Sequence, residues 1–220
     1  MATNIYYIPK EQSIFITSNF AEIQRRMDIG MYPITEYIQT SILDLNQYLI
    51  RGIGFDKIEN VYFQSIKEIF SKYHFEAIAF HETTADLSDL VLNVEHLIIG
   101  DKSKINLSEK NFKNLKEITF LSVKTFKGKI LGKFGNVKKL ILWYENKKSN
   151  DLLEHFPNLK EFYIYNGAIL KLTLTASPYI ERLQLHRCIK LEKVILPPEM
   201  HLKKVIVEAC SKLDTSNLPI

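Results

Sequence analysis

Six histidines and two cysteines are the residues of this 220-residue chain best suited to metal or acid–base chemistry, and their spacing supports neither. His74, His81, His96, His155, His186 and His201 form no HxxxH pair, and no CxxC pair adds thiolates to them, so nothing local converges on a metal. No GxSxG turn is present to lift a nucleophilic serine beside a histidine. His81 and Glu82 are the one close histidine–carboxylate pair, and their place just past an expected strand reads as a solvated strand end, not a general acid–base couple. The run from Gly128 to Phe134 has three residues between its glycines where a phosphate loop needs four, and Phe134 stands where a Ser or Thr would hold magnesium. Gly52 and Gly54 lack the third glycine of a dinucleotide fingerprint and follow an expected helix, so they read as a turn. Cys188 and Cys210 lie 22 residues apart and behave as small reduced hydrophobes, with a disulfide between adjacent strands as the alternative. The expectation is a chain that is not an enzyme and uses no cofactor and no metal.

The elements that must position any working residue repeat. Segments starting at Val94, Leu115, Val137, Leu159, Ile180 and Leu202 each read apolar-x-x-apolar-x-apolar, at steps of 21 or 22 residues. Such a period predicts stacked units, each burying its apolar face only against its neighbours. Phe112, Phe134 and Phe156 stand three residues before a unit, where a ring plugs the coil interior. Asn114, Asn136 and Asn158 stand one residue before it, where an amide can satisfy turning backbone.

The units at 180–191 and 202–213 fit L-x-x-L-x-L-x-x-[NC]-x-x-L, with Cys188 and Cys210 in the Asn/Cys slot, and there the chain resembles the leucine-rich repeat family. The resemblance covers residues 94–213. Earlier units put Lys102, Val123, Glu145 and Gly167 in that slot, which predicts a broken internal hydrogen-bond ladder. The resemblance implies an α/β solenoid with a parallel concave sheet. Residues 149–158 read as a helical turn while 169–174 and 191–196 read as extended, so a mixed helical and extended convex side is expected.

Ahead of the repeats, the sequence predicts strands at 5–8 and 13–17 around a turn, a short helix from Ser18 to Gly30, and a longer one over 34–50 ending at Gly52. Residues 1–57 are thus an expected N-terminal α/β cap and 58–220 the solenoid, irregular over 58–93 and regular over 94–220. Two irregular units are read at Ile58 (IENVYF) and Phe75 (FEAIAF), with a helical IKEIFSKY between them.

Composition narrows the function. No apolar run approaches the ~18 residues of a membrane span, and the first residues lack a basic segment followed by an apolar one, so the expected location is cytoplasmic. Residues 1–93 carry 7 Lys and Arg against 12 Asp and Glu, and residues 94–220 carry 22 against 13. The basic half suits an acidic protein partner. With its charge in scattered Lys and no Arg-rich block, it disfavours nucleic acid.

Strand alternation points to the site. The fifth residue of each unit gives Ile98, Thr119, Ile141, Tyr163, Gln184 and Ile206, and the seventh gives Gly100, Leu121, Trp143, Tyr165, His186 and Glu208, all on the concave surface. Ile141, Trp143, Tyr163 and Tyr165 should form one patch with Leu121 at its edge. A third column of Glu117, Lys139, Glu161, Arg182 and Lys204 supplies a charged rim. The expectation is a protein-binding module using Leu121, Lys139, Ile141, Trp143, Glu161, Tyr163, Tyr165, Arg182 and His186, and no membrane. Family resemblance implies a protein-interaction scaffold, and neutralisation of a toxin or effector by an immunity-type protein is its more specific form. An adaptor that recruits through residues 1–60 is the alternative, with a basic nucleic-acid binder behind it. The last coil edge, unprotected by a polar cap, is the expected route to any homodimer.

Overall fold

A computed structural model describes residues 4–18, 21, 24–25, 38–40, 45, 47–58, 69–70, 72–88, 90–144 and 149–220. One eleven-stranded sheet runs through it. In chain order its strands are β1 (Asn4–Ile8), β2 (Ser13–Thr17), β3 (Ile38–Thr40), β4 (Gly52–Asp56), β5 (Ala77–His81), β7 (His96–Ile99), β10 (Glu117–Phe120), β12 (Lys139–Trp143), β13 (Glu161–Tyr165), β15 (Arg182–His186) and β17 (Lys204–Glu208). From β2 to β17 neighbours pair parallel and in register, while β1 lies antiparallel between β2 and β3 and closes one end. The chain is a parallel β-solenoid.

Its strands form because inward positions carry the same chemistry in every coil. Ile118 and Phe120, Leu140 and Leu142, Phe162 and Ile164, Leu183 and Leu185 are all fully buried. Behind them Phe112, Phe134 and Phe156 make a ring spine with centroids 6.4 and 5.7 Å apart. The asparagines act as expected: the Asn158 amide donates to the Gly135 carbonyl at 3.0 Å, and that of Asn136 reaches the Lys113 carbonyl at 3.4 Å.

The corner after one strand departs from the expected slot assignment. Lys57, Glu82, Lys102, Tyr144, Asn166, Arg187 and Ala209 all have left-handed backbone, φ 45–55°. At these corners an N–H is donated across to the next coil, as from Tyr144 to the Tyr165 carbonyl at 2.9 Å and from Arg187 to that of Glu208 at 2.8 Å. The residue after the corner fills the internal slot. In the coil from Val94 the corner falls one residue late, on Lys102, so Ser103 and not Lys102 takes the slot. Its hydroxyl donates to the Phe80 carbonyl at 3.2 Å, as Thr83 does to Phe55 at 3.3 Å. Cys188 and Cys210 continue the role as free thiols, the latter 3.4 Å from the Leu185 carbonyl. The ladder does lapse at Val123 and Gly167. A Cβ on Gly167 would come within 3.0 Å of the Cys188 sulfur, so the missing side chain makes room for the neighbouring thiol.

Three further expectations change. The convex side is mostly extended: β6 (Thr84–Ala85) pairs with β8 (Lys104–Ile105), β9 (Leu107–Ser108) with β11 (Ile130–Leu131), and β14 (Lys171–Thr173) with β16 (Lys193–Ile195). Helix there, among the described residues, is the single turn α1 (Ser149–Leu153), helical residues at 69, 70 and 72 within the expected outer helix, and short 3-10 turns at Glu109–Asn111 and Val123–Thr125, so an α/β label is not supported. Ile38–Thr40, placed in the longer helix, is a strand antiparallel to β1 at the sheet edge. Gly52-Ile53-Gly54 is no turn but β4: Ile50-x-x-Ile53-x-Phe55 obeys the repeat pattern, with Ile53 and Phe55 buried. Residues 59–68, which hold most of IENVYF and the start of the expected outer helix, and most of 19–37 lie outside the described residues.

Candidate functional site

Parallel register carries the seventh residues of successive coils into line. Trp143 pairs with Tyr165, Tyr165 with His186, and His186 with Glu208. At strand spacing the rings can only stack, and they do: Trp143 and Tyr165 at 4.3 Å and 15°, Tyr165 and His186 at 4.8 Å and 14°. The ladder ends on Glu208, whose carboxylate lies 2.9 Å from His186 Nδ1, while His186 Nε2 is buried with no hydrogen-bond partner. Stacking hides the ring faces and presents their positive edges to solvent, beside a cleft of about 520 Å³ that includes the corners Asn166, Arg187 and Ala209.

Next to the ladder, Ile141 pairs with Tyr163 and both are half-buried. Leu121, just past β10, is 42% exposed at the edge. The Tyr163 hydroxyl donates to the Glu161 carboxylate, and partial burial together with that carboxylate pushes the phenol up to about 12. Tyr163 is therefore a neutral donor at any physiological pH.

The charged columns do not stand free. Lys139 Nζ is 3.0 Å from Glu117 and 5.6 Å from the centre of the Tyr163 ring, and Arg182 is 3.2 Å from Glu161. One residue earlier in the repeat, Lys160 and Lys203 both sit 2.6 Å from Glu181 and hold its carboxyl down at about 2. The rim is largely self-neutralised, which weakens it as a steering field and strengthens it as a cross-strand brace.

The amino-terminal half of the same face is missed by sequence reasoning. Gly52 and Ala77 hold the register of Lys139 and Glu161, and Gly54 and Ala79 that of Ile141 and Tyr163, leaving a recess of about 270 Å³ walled by Phe15 and Ile98. At its strand-end side, Thr17, Asp56 and His81 align across β2, β4 and β5. Asp56 is 3% exposed; it accepts from Thr17 Oγ1 at 3.2 Å and lies 2.7 Å from His81 Nδ1. The imidazole lies over Gly100, where a Cβ would meet its Cδ2 at 2.7 Å. Sequence spacing pairs His81 with Glu82; the register pairs it with Asp56, and the overlooked signal was the Ile50-x-x-Ile53-x-Phe55 match.

A carboxylate on Nδ1 fixes the tautomer and leaves Nε2 able to accept a proton. Among the described residues, however, the ring's hydrogen bond is to Asp56 alone, and no hydroxyl or thiol is bonded to it as a nucleophile would be. The described residues contain no group of three His, Cys, Asp or Glu that could hold a metal, and no helix long and apolar enough to cross a membrane.

Against known proteins, the chain matches no family model, no curated protein and no solved structure. Its architecture rests on its own geometry, as a repeat solenoid with a continuous parallel sheet.

Proposed function

We propose that this solenoid, of leucine-rich-repeat type, is a non-catalytic module that binds a partner protein across its concave face. The carrying observation is the ladder of Trp143, Tyr165 and His186, continuous with Ile141, Tyr163 and Leu121 and carried on a regular sheet. Trp and Tyr are the residue types that dominate binding energy when a partner excludes water around them. Their stacking supplies the pre-organisation that keeps the entropic cost of ordering low. The recess over Gly54 and Ala79 complements this raised half: a partner can seat a bulky apolar side chain in the recess while its backbone crosses the ring edges. Such an extended, rigid, single-faced surface suits capture and neutralisation of one protein, such as a toxin or effector, located like the binder in the cytoplasm.

The test is capture of a partner from the source extract, followed by titration of the purified pair. Trp143→Ala/Tyr165→Ala should weaken binding by at least ~2 kcal/mol, about thirtyfold, if the ladder is a hot spot. Gly54→Leu, which fills the recess, should weaken it independently. Unchanged affinity in both, with far-UV spectra intact, would remove the concave face from consideration.

A further inference from the structure

Among the described residues, much of the positive charge without an ion pair lies away from the concave sheet. On that sheet lysines and arginines face carboxylates across the strands, as in Lys116 with Glu95 at 2.7 Å and Lys139 with Glu117 at 3.0 Å. The outer segments of two consecutive coils, residues 102–116 and 121–138, differ. Lys104, Lys110, Lys124, Lys127, Lys129 and Lys133 are all exposed there, and among the described residues none of the six is in an ion pair. The two segments lie side by side: Lys127 N–H donates to the Ser103 carbonyl at 3.0 Å, and Leu107 N–H to the Lys129 carbonyl at 2.7 Å. Gly128 lets them touch, since a Cβ there would fall 1.8 Å from the Ile105 oxygen. Lys110 and Lys133 line one cavity of about 430 Å³, with Glu109 as its sole carboxylate.

We propose that this outer face is a second docking surface, for an acidic polypeptide segment rich in Asp and Glu. Gathering like charges at this density is favourable only with counter-charge nearby, and the face supplies lysines without the glutamates that meet Lys116, Lys139, Lys160 and Lys203 on the concave sheet. Carboxylates fit the residue choice better than phosphates do. No arginine occurs between Arg51 and Arg182 to fork onto a phosphate. Phe112 and Phe134 are buried and Phe126 is half-buried, so no exposed ring offers a base a platform. Apart from Leu121 at the concave edge, Leu131 is the one well-exposed apolar side chain on the face, too little to anchor in a bilayer. The inference does not depend on the concave-face reading.

Fluorescence anisotropy of labelled poly-L-glutamate with the full chain, over a range of salt, tests it. Lys104→Glu/Lys127→Glu/Lys129→Glu should weaken binding at least about tenfold, whereas the equal charge change Lys190→Glu/Lys193→Glu/Lys212→Glu on the carboxy-terminal coils should weaken it less than about threefold. Lys110→Glu/Lys133→Glu, at the other end of the face, gives the same reading should the triple variant lose its far-UV spectrum. Trp143→Ala/Tyr165→Ala should bind poly-L-glutamate like the wild type, which separates this surface from the concave one. Equal loss in both triple variants, no binding by the wild type, or tighter binding at matched salt to duplex DNA or phosphatidylserine vesicles overturns the proposal.

Discussion

Removing the His81 imidazole should leave a buried carboxylate stranded. Asp56 keeps only 5% of its side chain accessible, and His81 24%. Removing one partner from a buried hydrogen bond to a charged group costs about 1–3 kcal/mol, and the 5% accessibility of the Asp56 side chain places His81→Ala near the upper end, at about 2–3 kcal/mol. Asp56→Ala leaves the Thr17 hydroxyl and an imidazole that can turn to water, and should cost about 1–2 kcal/mol. In the double variant nothing charged is stranded, so its cost should fall short of the sum by about 1–2 kcal/mol. Urea unfolding of the four proteins, followed by far-UV circular dichroism at pH 7 with matching m-values, measures that coupling. Additivity within about 0.5 kcal/mol would refute the assignment of Asp56 as a buried carboxylate held by the His81 imidazole.

Phe134→Ala, which opens the middle of the ring spine, should destabilise the chain by about 3–5 kcal/mol in the same assay, because Phe112 and Phe156 cannot close over the gap. Arg187→Gly should raise the melting temperature by about 2 °C, since Arg187 is exposed, holds φ 53° and makes only a backbone bond there. For Glu181 the folded carboxyl, at about 2, lies below its ordinary value of 4.5, so its stabilising effect is full above pH 4.5 and fades as pH falls towards 2. Glu181→Gln should accordingly be less stable than wild type at pH 7 and indistinguishable from it near pH 2, as melting curves across that range would record.

The period of the carboxy-terminal coils was legible because Leu140, Leu142, Phe162, Ile164, Leu183 and Leu185 meet identical surroundings, and identical surroundings select identical residue types. The amino-terminal coils were less legible for a physical reason. Where the outward residues are Gly52 and Gly54, strand propensity is low and glycine mimics a turn, although the inward Ile53 and Phe55 still follow the rule. The slot error at Lys102 has the same origin: sequence counts from the strand start, whereas the slot is set by the left-handed corner, and one extra residue, Asp101, moves both. The helical share of the expected mixed convex side is small because a segment this short cannot propagate a helix, while its backbone can pair with the adjacent coil, as β9 does with β11; the segments read as extended, 169–174 and 191–196, do hold β14 and β16.

The candidate site divides along the same line. Trp143, Tyr163, Tyr165 and His186 could be placed from column counting, because a parallel register converts sequence period into spatial neighbourhood. Asp56 and His81 could not, since their separation of 25 positions conceals that they occupy one register position. A surface whose outward residues are small in one half and aromatic in the other, on strands of one unbroken sheet, has a relief that no averaged repeat would give. A partner that read only the aromatic half would gain nothing from Gly54, so a binding loss in Gly54→Leu alone would mean that both halves are read by one molecule.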